Sequence, residues 1–150
     1  MRKEAWSEDI CPITRSMSVL GERWAMLIVR EALLGRSRFS DFRSELGVAP
    51  DILSSRLSAL VAAGVLTAVD YQDPGDRRRQ CYELTSAGRE LSTVLAALAQ
   101  WGRTHMPPGQ DNGRRFVDTT TGDPVRACLR NSDGEVVDPA QVILADMSRQ

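Results

Sequence analysis

Apolar residues recur at intervals of three and four through most of positions 13 to 101, and the rhythm is punctuated by glycines and by one stretch of strand-like residues. Ile13, Met17 and Leu20 are spaced for a helix opened by Pro12, whose missing N–H costs nothing at a first helical position. Gly21 interrupts it, and Trp24, Leu27, Ile28 and Leu33 continue as a second helix stopping at Gly35. Ser37 is placed to cap a third helix, in which Phe39, Phe42 and Leu46 share a face and Gly47 marks the end. After the turn Gly47-Val48-Ala49, Pro50 opens a fourth helix and Gly64 closes it. Leu53, Leu57, Leu60 and Val61 form its inward stripe. Asp51, Ser54, Ser55 and Ser58 are left on the outer face, with Arg56 at the border.

Val65 to Tyr71 reads as an incoming strand, Asp73-Pro74-Gly75-Asp76 as a reverse turn, and Gln80, Tyr82 and Leu84 as a returning strand, with Arg77, Arg78 and Arg79 at the hairpin tip. Thr85 or Ser86 is placed to cap a long helix whose stripe runs Ala87, Leu91, Val94, Leu95, Leu98, Trp101 and closes around Gly102. Beyond a Pro-Gly linker lie β-like pieces at Phe116-Val117, Val125 to Leu129 and Val136-Val137, with Val142 to Leu144 as a candidate last strand. Helix, turn, helix and basic hairpin is the order in which a winged helix meets DNA. The expected fold is therefore mainly α with a small β wing (α+β): a winged helix-turn-helix with dimer-forming terminal helices and a short C-terminal β extension. Residues 1–106 form the DNA-binding and dimerisation domain in this reading. Residues 107–150 form an extension too small to hold a core of its own.

Composition narrows the function. With 150 residues and 42% apolar side chains the chain can bury a genuine core without disulfide staples. No apolar run approaches the roughly 20 residues that cross a bilayer, and the start lacks the apolar segment of a secretory signal, so a cytoplasmic protein with no membrane partner is expected. Cys11, Cys81 and Cys128 lie far apart beside a single histidine, His105, which indicates neither a zinc site nor a disulfide framework; no metal or cofactor is expected. The net charge of −1 argues against indiscriminate nucleic-acid binding, which sums phosphate neutralisation. Residues 1–106 carry 14 basic and 13 acidic side chains and residues 107–150 carry 5 and 7, so basic groups matter only where they cluster. They cluster at Arg36, Arg38 and Arg43 and again at Arg77 to Arg79, where the bland alternative is solvated surface.

Several of these residues, taken in order, resemble the HxlR family of bacterial winged-helix transcription regulators, relatives of the MarR type. They are Cys11-Pro12, Gly21-Glu22-Arg23-Trp24, Arg30-Glu31, Arg38-Phe39-Ser40, Leu53 with Arg56-Leu57 and Leu60, Gly64, Tyr82-Glu83-Leu84-Thr85 with Gly88, and Trp101-Gly102. The resemblance implies a homodimer on a partly palindromic operator. Two departures stand out. Ala49 replaces a common serine cap, a loss of about 1 kcal/mol, and Asp51 opens the recognition helix with a charge that repels phosphate but accepts from a cytosine amino group. The tail from Gly109 is similar to the β extension of some members but lacks their paired metal-ligand cysteines.

A helix fits the major groove with its N-terminal half closest to the bases, so Ser54, Ser55 and Ser58 are assigned to base edges and Arg56 to phosphate. The alternative for Arg56 is bracing against an acidic neighbour such as Glu45. Arg77, Arg78 and Arg79 are assigned, with Arg38, to the DNA backbone or the adjacent minor groove. Two half-sites compensate for a weakly charged single domain. Trp6, Ile10 and Ile13 with Leu91, Val94, Leu95, Leu98 and Trp101 are the candidate dimer surface, against the alternative of intrachain packing. Cys11, at a helix start that favours thiolate, is the redox-sensing candidate, since the family contains thiol-based sensors using the matching cysteine. A small-molecule effector between the subunits, no effector at all, and a plain buried apolar role for Cys11 stand beside it. Catalysis by Cys11 and His105 lacks an acidic orienter, so no enzyme is expected. The remaining competitor is a winged-helix protein-interaction module that does not bind DNA.

Overall fold

The computed structural model describes residues 10–106 and 109–147. Helices α1 (Pro12–Leu20), α2 (Arg23–Leu33), α3 (Phe39–Leu46) and α4 (Pro50–Ala62) precede an antiparallel hairpin, β1 (Leu66–Tyr71) and β2 (Arg79–Leu84). Helix α5 (Ser86–His105) follows, then a second small hairpin, β3 (Leu129–Arg130) and β4 (Val136–Val137), and a 3-10 turn at Pro139–Gln141. By its contacts the chain forms two compact units, residues 1–95 and 96–150. The division falls inside α5, whose last turns bond to the extension: Arg103 donates to the Arg114 carbonyl at 2.9 Å.

In the first unit the inward stripes meet as their spacing requires. Ala25, Ile28 and Val29 of α2, Phe42 of α3, Leu53, Leu57 and Leu60 of α4, and Val65, Leu66 and Leu84 at the hairpin base are buried. Each large side chain removed from water contributes about 1.5–3 kcal/mol. Val48, buried in the three-residue turn between α3 and α4, fixes how α4 leaves α3. Gly47 ends α3 at φ +61°, a conformation that side chains with a Cβ rarely adopt. Gly88 is required for a different reason: a Cβ there would lie 2.2 Å from the Val65 carbonyl oxygen, so only glycine lets α5 start against the hairpin base. Thr85 locks the same junction. Its hydroxyl accepts from the Gly88 N–H at 3.1 Å and donates to the Gly64 carbonyl at 2.6 Å.

Among the described residues of this unit one charge is buried. Glu31 is 1% exposed, and its carboxylate is held by Arg30 at 2.6 Å and by Arg36 at 2.8 Å. Arg36 reaches on to Glu45 of α3 at 3.0 Å, tying the end of α2 to the helix that precedes the turn.

Local details depart from expectation. Arg38, not Ser37, is the N-cap of α3, because the Ser37 carbonyl accepts the Tyr82 N–H at 2.8 Å and holds this segment alongside β2. Helix α5 runs through Gly102 to His105, with the Met106 N–H bonding back to the Gly102 carbonyl. In the second unit, Val117 pairs with Pro124 as an isolated bridge, and of the Val125–Leu129 stretch only Leu129 is strand, continuing into Arg130. Val142 to Leu144 is not a strand; it has no ladder partner among the described residues, and Ile143 and Leu144 are exposed.

Candidate nucleic-acid interface

Helix α4 is built to present one face. Leucines at 53, 57 and 60 anchor it, which turns Asp51, Ser54, Ser55 and Ser58 into solvent together. Ala49 caps it without a side-chain bond, as its methyl group requires, and Pro50 with Asp51 in the first turn supplies the start signal. The exposed face is short, mostly uncharged and rich in hydroxyls that both donate and accept. Ile52, 40% exposed, is the one large apolar side chain beside them.

Arg56 lies half-buried at the border of this face, as expected. Its guanidinium lies 3.5 Å from Glu22, its Nε is buried without a hydrogen-bond partner among the described residues, and 26% of its side chain is exposed. The bracing alternative has the right chemistry but a different partner, because Glu45 is taken by Arg36.

The hairpin pairs in register from Leu66 with Leu84 to Tyr71 with Arg79, so Arg77 and Arg78 stand in the turn and Arg79 on the last ladder pair. Arg38 joins this group from the third helix: it bridges to Cys81, lies 4.7 Å over the Tyr71 ring, and pairs with Asp73 at 3.3 Å. Arg78 pairs with Asp70, and Arg79 pairs with Asp76 at 2.8 Å. Asp76 is held below the ordinary carboxylate range chiefly by the Arg77 backbone N–H, with Arg79 adding to it. Arg77 alone of the tip arginines has no side-chain hydrogen bond or ion pair among the described residues. Four acidic side chains, Asp70, Asp73, Asp76 and Glu83, thus oppose three arginines within residues 66–84. The arginine run alone suggests a strongly basic tip, but the aspartates at three-residue intervals before it carry the opposing signal in the sequence itself.

The remaining candidates divide by exposure. Ile10, Ile13, Val94, Leu98 and Trp101 are exposed apolar side chains, whereas Leu95 is buried and Leu91 half-buried. Trp6 lies outside the described residues. Cys11 is the N-cap of α1 and partly exposed, Cys81 is half-buried in β2, and Cys128 is exposed. His105 is exposed at the C-terminal end of α5, 5.3 Å from the Trp101 ring. No group of three or more His, Cys, Asp or Glu side chains among the described residues is placed to hold a metal ion. None of the described helices is long and apolar enough to cross a membrane.

Comparison with known proteins adds a family and a set of relatives. The family described as HxlR-like helix-turn-helix matches residues 19–110. The uncharacterised HTH-type transcriptional regulator Rv3095 of Mycobacterium tuberculosis is 41% identical over 95 residues, covering 63% of this chain and 59% of that protein. This chain therefore matches less than two thirds of that relative's length. Among solved structures, PA1607, described as a putative transcription factor, is 34% identical with a TM-score of 0.80, over 94% of this chain and 98% of that one. A second, PA1374 of Pseudomonas aeruginosa, with the same description, is 37% identical with a TM-score of 0.61, over 91% and 92%. Both alignments are too long to stop at α5, so the extension has counterparts there.

Proposed function

We propose that this chain, which belongs to the HxlR-like helix-turn-helix family, is a cytoplasmic transcription regulator that binds double-stranded DNA sequence-specifically, as a homodimer on a partly palindromic operator. The observation that carries the reading is α4: a leucine-anchored helix with Asp51, Ser54, Ser55 and Ser58 exposed on one face. Short hydroxyl side chains approach base edges closely, and Asp51 accepts from a cytosine amino group. Arg77 supplies the most available phosphate contact, with Arg38, Arg78 and Arg79 exchanging their aspartate partners for phosphate as DNA docks. Arg56 acts as a brace that sets the angle of α4. The exposed Ile10, Ile13, Val94, Leu98 and Trp101 supply apolar surface for pairing, and two tethered half-sites compensate for a domain with almost no net charge.

The test is selection from random duplexes by the full-length chain, followed by gel shift of the enriched sequence. A two-half-site consensus whose binding is lost on replacing Ser54, Ser55 and Ser58 supports the reading; no enrichment at low salt removes it. A protein-docking winged helix is the second reading, favoured by the self-neutralised wing, and absence of retention on heparin supports it over the first. Cys11 is the proposed input for oxidants, because a thiol at the start of α1 meets the positive end of the helix dipole. Operator release by diamide that is equal in the native chain and in Cys11→Ser transfers the response elsewhere, a small-molecule effector being the alternative input.

A further inference from the structure

The extension has so far been given no task, and the second unit contains a cavity that suggests one. It measures about 320 Å³, near the lower end of the range of about 300–1,000 Å³ typical of small-molecule sites. All its lining residues lie between Ala96 and Arg126, within that unit. One side is the α5 surface carrying Ala96 and Arg103; the other is the extension, with Arg115, Phe116, Val125 and Arg126. Three guanidinium groups border one cavity whose lining includes no carboxylate.

Their charges are unequally satisfied. Arg115 is paired with Asp111 at 2.6 Å, and that carboxyl is pulled down to about 2, first by the Arg115 hydrogen bond and then by the Gly113 N–H, so it stays ionised at neutral pH. Arg103 hydrogen-bonds only a neutral carbonyl, that of Arg114, and feels the Asp111 carboxylate only at longer range, after Arg115, while Arg126 makes no ion pair among the described residues. The charge of Arg126 and part of that of Arg103 are thus left beside an apolar lining of Ala96, Phe116 and Val125. Like charges gathered at one concavity repel, and an anion is what removes the repulsion. Paired guanidinium N–H donors match the two oxygens of a carboxylate, and the apolar lining of Ala96, Phe116 and Val125 favours one carried on an organic body.

We propose that this cavity binds a small organic carboxylate, its charged end on Arg103 and Arg126 and its apolar body against Phe116 and Val125. The site goes beyond the DNA-binding reading and does not depend on it. The test is calorimetric titration of the full chain with sodium benzoate, with benzyl alcohol as the uncharged control of similar size. Saturable benzoate binding with a Kd of about 10 mM or tighter, weakened at least roughly fivefold in Arg103→Gln/Arg126→Gln and weakened in Phe116→Ala, is the expected result. Both arginines are exposed, so the double variant should fold, and its circular dichroism checks this. No saturation by benzoate, equal binding by the folded double variant, or equal binding of the alcohol would each overturn the proposal.

Discussion

Arginine meets carboxylate in the first unit both under the helix-turn-helix and along the wing, and the same chemistry has opposite consequences in these two regions. Glu31 is 1% exposed between Arg30 and Arg36, so its ion pairs work where water cannot substitute for a lost partner. In the wing, the side chains of Arg38, Arg78, Arg79 and their aspartates are between 41% and 71% exposed, and water screens each pair. The buried cluster holds α2 against the approach to α3 and so fixes the base from which α4 projects. The exposed pairs contribute little to stability and are exchangeable, which is what a surface needs if phosphate is to replace aspartate. One region supplies rigidity and the other an adjustable charge.

The largest expected effect lies in the buried cluster. Glu31→Ala removes the buried acid shared by Arg30 and Arg36, which are 37% and 27% exposed, and although Arg36 keeps Glu45 the loss should be about 3 kcal/mol of unfolding free energy in urea. A loss below about 1 kcal/mol would mean that Glu31 behaves like a surface residue, and the contrast between the regions would disappear.

Next comes the exposed face of α4. Replacing Ser54, Ser55 and Ser58 together by alanine should lower affinity for a selected operator by about a hundredfold, roughly 1 kcal/mol for each hydroxyl. Affinity for random duplex should change by less than about threefold, because none of the three is assigned to phosphate. Equal losses on both duplexes would move sequence readout away from this helix.

The wing should respond in the reverse sense. Asp70→Asn, Asp73→Asn and Asp76→Asn combined should shift stability by less than about 1 kcal/mol. Random-duplex affinity should rise about tenfold at low salt, and the salt slope should steepen by up to roughly three, one for each released guanidinium. An unchanged slope would show that the wing arginines do not meet DNA. On this account the aspartates hold non-specific binding down, leaving discrimination to α4.

Much of this was legible in the sequence, for physical reasons. The four leading helices, the wing and the start of α5 follow from apolar spacing, from proline at first helical positions and from glycine at helix ends, all local signals. The serine face of α4 was equally legible, since Leu53, Leu57 and Leu60 leave the intervening positions only one way to point. What escaped depends on contacts distant in sequence. Arg56 finds Glu22, thirty-four positions earlier, and Arg38 finds Asp73, thirty-five positions later; no periodicity encodes either pairing. Ser37 misled because a hydroxyl before an apolar run is a sound cap signal, yet its backbone was claimed by β2. In the extension the described strands are only two residues long, although valines between turn residues look the same whether or not a neighbouring strand is available.

The smallest predicted effect separates two causes at a single wing carboxylate. Asp76 should titrate below its ordinary 3.8, and because the larger cause is the Arg77 backbone N–H, Arg79→Ala should raise the midpoint without bringing it back to 3.8. The sign is that of a depressed carboxylate: any stabilisation is complete above the unfolded value and fades as pH falls through the lower folded one. Stability near neutral pH is therefore untouched by this titration. Because the carboxylate is solvent-exposed, the effect belongs in a carbon-detected NMR titration of Asp76 and not in a melting curve. A midpoint at or above 3.8 in the native chain would mean that the turn does not hold Asp76 against the Arg77 N–H. A midpoint unmoved by Arg79→Ala would mean that the Arg79–Asp76 pair has no weight in solution, leaving Arg79 as available to phosphate as Arg77.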